Sequence, residues 1–484
     1  MNFRVIKRTL GFLLIFEAVF FLVPLLTALI YGEQEGVDFL ICILICLAVG
    51  GLLTLGKVKN QAMYAKEGFV IVALSWIVMS LFGALPFWIS GAIPSYIDAL
   101  FETVSGFTTT GASILYGNEI ESMPKCLLMW RSFTHWVGGM GVLVFIIAFL
   151  PLSGGRNINI MRAESPGPEV GKLVPKVRQT AGILYLIYTA VTFLEFVFLL
   201  FGKVSVFEAL TISFSTAGTG GFAVKGDSLA SYSSYVQIVV TVFMLLFSVN
   251  FTSYFLLLCG KIKDALSLEV RVFFYIVAMA IVLITLNLCF TDMTAQNYTT
   301  GEAIKHSAFS VASVISTTGF ATADFNLWPA FSKTILVTLM FIGACAGSTG
   351  GGIKVSRMII LGKGVTNEMK RTLHPKQIKK ITMDGKVVEH EVVRGVNSYF
   401  VSYILVFVVS MLIISLDCQD LVTNFTAVSA TINNIGPGLG AVGPSGNFAE
   451  FSVLSKLVYI FDMLVGRLEV FPMLLLFAPT TWKK

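Results

Sequence analysis

Residues 105–113 read SGFTTTGAS, three threonines and two glycines set between two apolar stretches. The run has relatives: SFSTAGTGGF at 213–222, SVISTTGFAT at 313–322 and ATINNIGPGLG at 430–440. Aligned on their glycines, they place Gly111, Gly218, Gly319 and Gly436 in equivalent positions. The copies recur roughly every hundred residues, the mark of an internal repeat. Each has the same surroundings. An apolar segment of spanning length comes first (69–91, 179–201, 270–290, 395–416). A shorter apolar segment follows (97–107, 204–214, 304–315, 421–432), then the glycine loop, then a second span (124–150, 233–259, 330–362, 452–478). A membrane-crossing helix needs about 20 apolar residues, so the shorter segments enter without crossing.

Composition supports a bilayer setting. Of 484 residues, 56% are hydrophobic and only 13% charged, whereas soluble domains carry about 25% charged residues. The opening apolar stretch, preceded by Arg4, Lys7 and Arg8, is too long for a signal peptide and reads as a retained helix. Together with 37–56 it forms an N-terminal hairpin. The net charge of +6 comes mostly from loops and calls for no nucleic-acid partner. Lys57, Lys59, Lys66, Arg156, Arg162, Lys172, Lys176, Arg178, Lys261, Lys263 and the cation-rich stretch 354–394 fall on the side of the N-terminus. That side is therefore expected to be cytoplasmic. The seven cysteines make no C-x-x-C pair and the four histidines show no ligand spacing, so no metal site or disulfide is expected. No Ser/His/Asp set or paired carboxylates sit at membrane depth, so the chain is not expected to be an enzyme.

Non-helical backbone at membrane depth is tolerated only inside protein or around a water-filled path. Four such loops can converge on one axis. A half-helix ending mid-membrane presents the negative end of its dipole, which favours a cation. The residues that follow can offer carbonyl oxygens to a dehydrated ion. The expected fold is an all-α polytopic membrane protein. Four helix–pore-helix–loop–helix units (61–155, 156–262, 263–394, 395–484) surround one central pore, after the hairpin at 1–60. All four units run in the same sense, which argues for a pore rather than a rocking carrier built of inverted repeats.

The four motifs, with GACAGSTGGGIK at 343–354 and DMLVGRLEVFP at 462–472, resemble the Trk/Ktr/HKT superfamily of potassium transporters, most closely its bacterial TrkH/TrkG branch. The resemblance covers essentially the whole chain. It implies about ten spanning helices, a homodimer in the bacterial inner membrane, and control by a separate cytosolic nucleotide-binding ring like TrkA. It also implies transported K+ with no cofactor bound by this chain. The filter residues it carries over are Thr109, Thr110 and Gly111; Thr216, Ala217 and Gly218; Thr317, Thr318 and Gly319; and Asn434, Ile435 and Gly436. Glycine at all four key positions favours potassium over sodium. The fourth motif lacks a threonine hydroxyl, so a less symmetric inner site is expected. The KtrB-like sodium-dependent transporters are the nearer alternative, but they generally lack the N-terminal hairpin.

The second span of the third unit is interrupted by Gly343, Gly347, Ser348, Thr349, Gly350, Gly351 and Gly352, ahead of Lys354. Five glycines so close disfavour a helix. The stretch fails phosphate-loop spacing, because Ile353 separates Gly352 from Lys354. It is expected to be an intramembrane loop beneath the third filter segment, and the resemblance implies that it gates. Arg467, in the second span of the fourth unit, is a costly charge at membrane depth. An ion pair with Asp462 or Glu469 and a gating role are both open from the residues alone. The resemblance implies contact with the gating loop.

Overall fold

The computed structural model describes residues 1–55, 65–141, 177–291, 298–375 and 380–482. Helices α1 (Phe3–Phe20) and α2 (Leu22–Tyr31) form one apolar stretch of spanning length, and α3 (Gly36–Thr54) returns beside it. Gly11 and Gly50 allow this close packing. A Cβ on Gly11 would come within 2.8 Å of the Gly50 carbonyl oxygen, and one on Gly50 equally near that of Gly11. Small residues serve membrane helices in this way.

Four units follow. The first holds α4 (Ala65–Gly83), α5 (Tyr96–Phe107) and α6 (Lys125–Gly139). The second holds α7 (Val177–Phe201), α8 (Val206–Gly218), α9 (Ser234–Phe247) and α10 (Phe251–Leu258). The third holds α11 (Leu268–Phe290), α12 (Thr300–Ile315), α13 (Ala330–Ile342) and α14 (Val355–Leu373). A small antiparallel hairpin, β1 (Thr382–Met383) and β2 (Lys386–Val387), leads to the fourth. That unit holds α15 (His390–Ile414), α16 (Leu421–Ile432), α17 (Val453–Arg467) and α18 (Phe471–Phe477).

Among the described residues, six helical stretches are long and apolar enough to cross a membrane, seven if the bent α9–α10 pair counts as one. This is fewer than the sequence leads one to expect, because three of the second spans are broken and the first one runs on past the described residues. α9 and α10 meet at 90°, where Asn250 caps the new helix by accepting from the Thr252 N–H at 2.8 Å. α13 and α14 are separated by 343–354, as anticipated. α17 stops at Arg467, and Glu469 and Val470 then take φ of 60° and 68° before Pro472 restarts a helix. α6 ends at Gly139, and residues 142–150 of its expected span lie outside the described residues. So do Lys57, Lys59, Arg156, Arg162, Lys172 and Lys176, together with the boundaries expected at 60/61 and 155/156.

The short helices α5, α8, α12 and α16 share a design. Each starts at a capping side chain, Ser95, Ser205, Thr299 or Asp420, that accepts a first-turn N–H. Each buries its C-terminal end. The second helices wedge between them in cyclic order: α6 packs on α5 and α8, α9 on α8 and α12, α13 on α12 and α16, and α17 on α16 and α5. The outer faces of α3, α7, α11 and α15 expose Leu44, Leu186, Phe290 and Leu412, a surface suited to lipid tails rather than water.

Candidate functional site

Each short helix ends in the same backbone figure. Thr109, Thr219, Thr317 and Asn434 take left-handed φ of 56°, 58°, 60° and 55°. Two residues on, Gly111, Gly221, Gly319 and Gly436 take φ of 77°, 77°, 86° and 93°. The residue between turns its N–H back to the helix: Thr110 to Ser105 O, Gly220 to Ser215 O and Thr318 to Ser313 O at 2.9 Å, and Ile435 to Ala430 O at 2.8 Å. This corrects the register of the second segment. Thr216, Ala217 and Gly218 lie in the last turn of α8, so Thr219, Gly220 and Gly221 hold the equivalent positions. STAGTGGF offers two T-x-G triplets three residues apart, nearly one helical turn, and glycine alignment selects the inner one. The shared G-F-A at 221–223 and 319–321 is the signal that selects the outer one.

The four segments close on one another. A Cβ on Gly111 would overlap the carbonyl oxygen of Gly220; on Gly221, that of Thr318; on Gly319, that of Ile435. A Cβ on Gly436 would lie 2.8 Å from that of Thr110, which completes the circle. The four glycines line a common cavity of about 140 Å³. Thr109 Oγ1 and Asn434 Oδ1 are buried without a hydrogen-bond partner among the described residues.

The interrupted span forms a loop with a closed neck. Ile353 and Lys354 donate backbone N–H groups to Phe341 and Ile342 carbonyls at 3.3 and 3.1 Å. A Cβ on Gly343 would lie 2.8 Å from the Cα of Gly352. The far side of the loop meets the ends of the segments above: Gly351 N–H donates to Thr317 Oγ1 at 2.6 Å and Gly352 N–H to Asn433 O at 3.1 Å. Thr349 Oγ1 donates to Phe247 O at 3.2 Å, and Gly347 O accepts from Phe251 N–H at 3.1 Å, tying the loop to the α9–α10 corner. Ser348 donates to Cys345 O at 2.6 Å. Lys354, 2% exposed, donates to Gly350 O. Arg467 reaches across the ring, donating to Thr349 O at 2.9 Å, to Gly139 O at 2.7 Å and to Gly138 O. It therefore bridges the loop to the end of α6. Glu469 pairs with Arg357, and Asp462 accepts from Ser410 at 2.7 Å.

Three charged contacts escaped the sequence reading. Glu269 Oε1 accepts from Ala346 N–H at 2.8 Å and Ser356 N–H at 3.0 Å, one on each limb of the loop. Glu102 on α5 and Arg131 on α6 form a buried pair at 2.5 Å. Arg131 also donates to Ser113 Oγ at 3.1 Å and Ala223 O at 3.0 Å, joining the first two segments. The third is the Arg357–Glu469 pair. The rule that intramembrane charges are functional, applied to Arg467, would also have singled out Glu102 and Arg131.

A polytopic helical membrane protein that brings four loop carbonyls together around one cavity is the class these features define. The family model described as "TrkH: Cation transport protein" matches residues 35–484, and the chain belongs to that family. It is 37% identical to the Trk system potassium uptake protein TrkH of Salmonella typhimurium, and likewise to that of Escherichia coli K12, over the whole of each chain. Identity to TrkG of Escherichia coli K12 is 32%, covering 99% of both chains. The crystal structure of the potassium transporter TrkH from Vibrio parahaemolyticus matches with a TM-score of 0.89 at 34% identity, covering both chains fully.

Proposed function

We propose that this chain takes up potassium across the cell membrane through one filter built from its four loops. The observation that carries this reading is the circle of glycines, each set against the carbonyl of the next segment. Carbonyl oxygens held in a closed ring can replace the water around a dehydrated cation. The filter residues are Thr109, Thr110, Gly111, Thr219, Gly220, Gly221, Thr317, Thr318, Gly319, Asn434, Ile435 and Gly436. Orphaned oxygens on Thr109 and Asn434 support a cation beside them. The loop from Gly343 to Lys354 is the gate, held shut by Arg467, whose fixed charge also opposes a cation. The four units surround the pore, the N-terminus is cytoplasmic, and the chains pair as dimers beneath which a TrkA-like ring docks.

Rubidium uptake into proteoliposomes tests this reading. External potassium should suppress uptake at lower concentration than sodium. Gly111→Ser, whose side chain collides with Gly220 O, should narrow that gap. Equal suppression by both ions in the parent protein would overturn the proposal.

A further inference from the structure

The second segment breaks the pattern of the other three. Between its left-handed threonine and its ring glycine it carries Gly220, where the others carry Thr110, Thr318 and Ile435. Those side chains are buried behind their loops. Thr110 Oγ1 bonds Thr108 Oγ1 at 2.8 Å, Thr318 Oγ1 bonds Ser316 Oγ at 2.6 Å, and Ile435 packs in the apolar core. Gly220 has nothing to place there, yet the space is filled. A Cβ on Gly220 would overlap the imidazole of His135, which reaches in from α6.

His135 is fully buried, and neither ring nitrogen has a hydrogen-bond partner among the described residues. Its ring stacks on Phe222, with centroids 4.3 Å apart and planes 22° apart. One helical turn earlier, the Arg131 guanidinium carbon sits 3.8 Å from the centroid of the same Phe222 ring. Two side chains of α6 thus grip the residue that follows Gly221. The same helix meets the end of α8 at backbone distance, because a Cβ on Gly218 would strike the His135 carbonyl.

We propose that His135 is a positioning residue of the filter: its ring stands in for the side chain missing at Gly220 and holds the Gly220 carbonyl in line with the other three. This rests on the filter reading above. The contact is one of shape and stacking, since the ring nitrogens make no bond. Removing the ring leaves a void beside the most flexible residue type in the ring of carbonyls. The Gly220 oxygen then wanders, and the closed cage loses its preference for potassium.

The test measures rubidium uptake with potassium and sodium as competitors, on purified full-length variants that elute as folded protein. His135→Ala should lose potassium-over-sodium preference severalfold, whereas His135→Phe, which keeps a flat ring against Phe222, should retain most of it. Gly220→Thr should abolish uptake in the parent. In the His135→Ala background the same threonine gains room, so the double variant should recover uptake and preference. A parental preference in folded His135→Ala overturns the proposal, and so does a double variant no better than Gly220→Thr alone. If His135→Ala fails to fold, His135→Phe and the double variant still decide. Gly111→Ser serves as reference. If it shifts preference while the His135 variants do not, only the role of His135 falls. If it shifts nothing, the filter reading falls, and this proposal with it.

Discussion

Thr216 and Thr219 lie three residues apart, and their hydroxyls do different things. Thr216 Oγ1 donates to Ile212 O at 2.9 Å as an ordinary helical back-bond. Thr219 sits past the helix at φ 58° and begins the loop. Thr219→Ala and Gly221→Ala should therefore lower potassium preference, while Thr216→Ala keeps the parental ratio. Each loss of about 1.4 kcal/mol in discrimination reads as a tenfold change in relative affinity. Competition of potassium and sodium against rubidium uptake distinguishes the two registers, and the opposite pattern would restore the inner triplet. The Glu102–Arg131 pair makes a different prediction. Both groups are buried, and truncating one strands the other, which costs about 3–5 kcal/mol. Glu102→Ala should thus lower the unfolding temperature in detergent markedly. The paired change Glu102→Leu/Arg131→Met should cost less than either single truncation, because no charge is left alone. A single truncation that melts with the parent would show that the pair does not hold the first two segments together.

The interrupted helix is held at three points: its neck, its contacts with Thr317 and Asn433, and the clamps of Glu269 and Arg467. Shortening the loop between Gly347 and Gly351 should raise basal rubidium flux. Arg467→Ala should raise it too, since Arg467 bridges Thr349 to Gly138 and Gly139. Glu269→Ala removes an acceptor shared by both limbs, and hydrogen bonds to a charged group contribute about 1.5–3 kcal/mol each. Its flux should also rise, and Glu269→Gln, which keeps an acceptor oxygen, should fall between. Potassium preference should hardly change in any of them. Parental flux in all three folded changes would make the loop a packing element. The break itself was legible, because glycines cluster there. The breaks after α9 and α17 were not. After α9 the sequence stays apolar and the chain turns on a lone Asn250, whereas after α17 the run GRLEVFP carries a glycine, two charges and a proline, and the charge of Arg467 draws the reading away from the break they mark. The four short helices were legible for the opposite reason: each is an apolar run too short to cross a membrane, followed within a few residues by a glycine.

At the scale of the molecule, the polar β-hairpin is tied to the loop of the interrupted helix through α14. Asp384 of the β-hairpin accepts from the Leu268 N–H at 2.7 Å and faces Arg271 at 3.7 Å, while Lys363 donates to Thr382 O at 2.6 Å. α14, the hairpin and the start of α11 are thereby fastened together, and α14 begins where the loop ends. Lys370 and Arg371 are exposed on α14. Reversing both to glutamate should weaken co-purification with a TrkA-like ring from the same genome and lower its effect on flux. Undiminished capture at raised salt would place docking elsewhere, because exposed charge pairs are screened there. The ring of four loops has a further consequence for inheritance. In an assembly of four identical subunits, one altered codon strikes every quadrant at once. Here each quadrant has its own codons, as Gly220, Asn434 and Ile435 illustrate. A single nucleotide change therefore perturbs a quarter of the ring, and on the filter reading proposed above selection can adjust ion choice in small, separate steps.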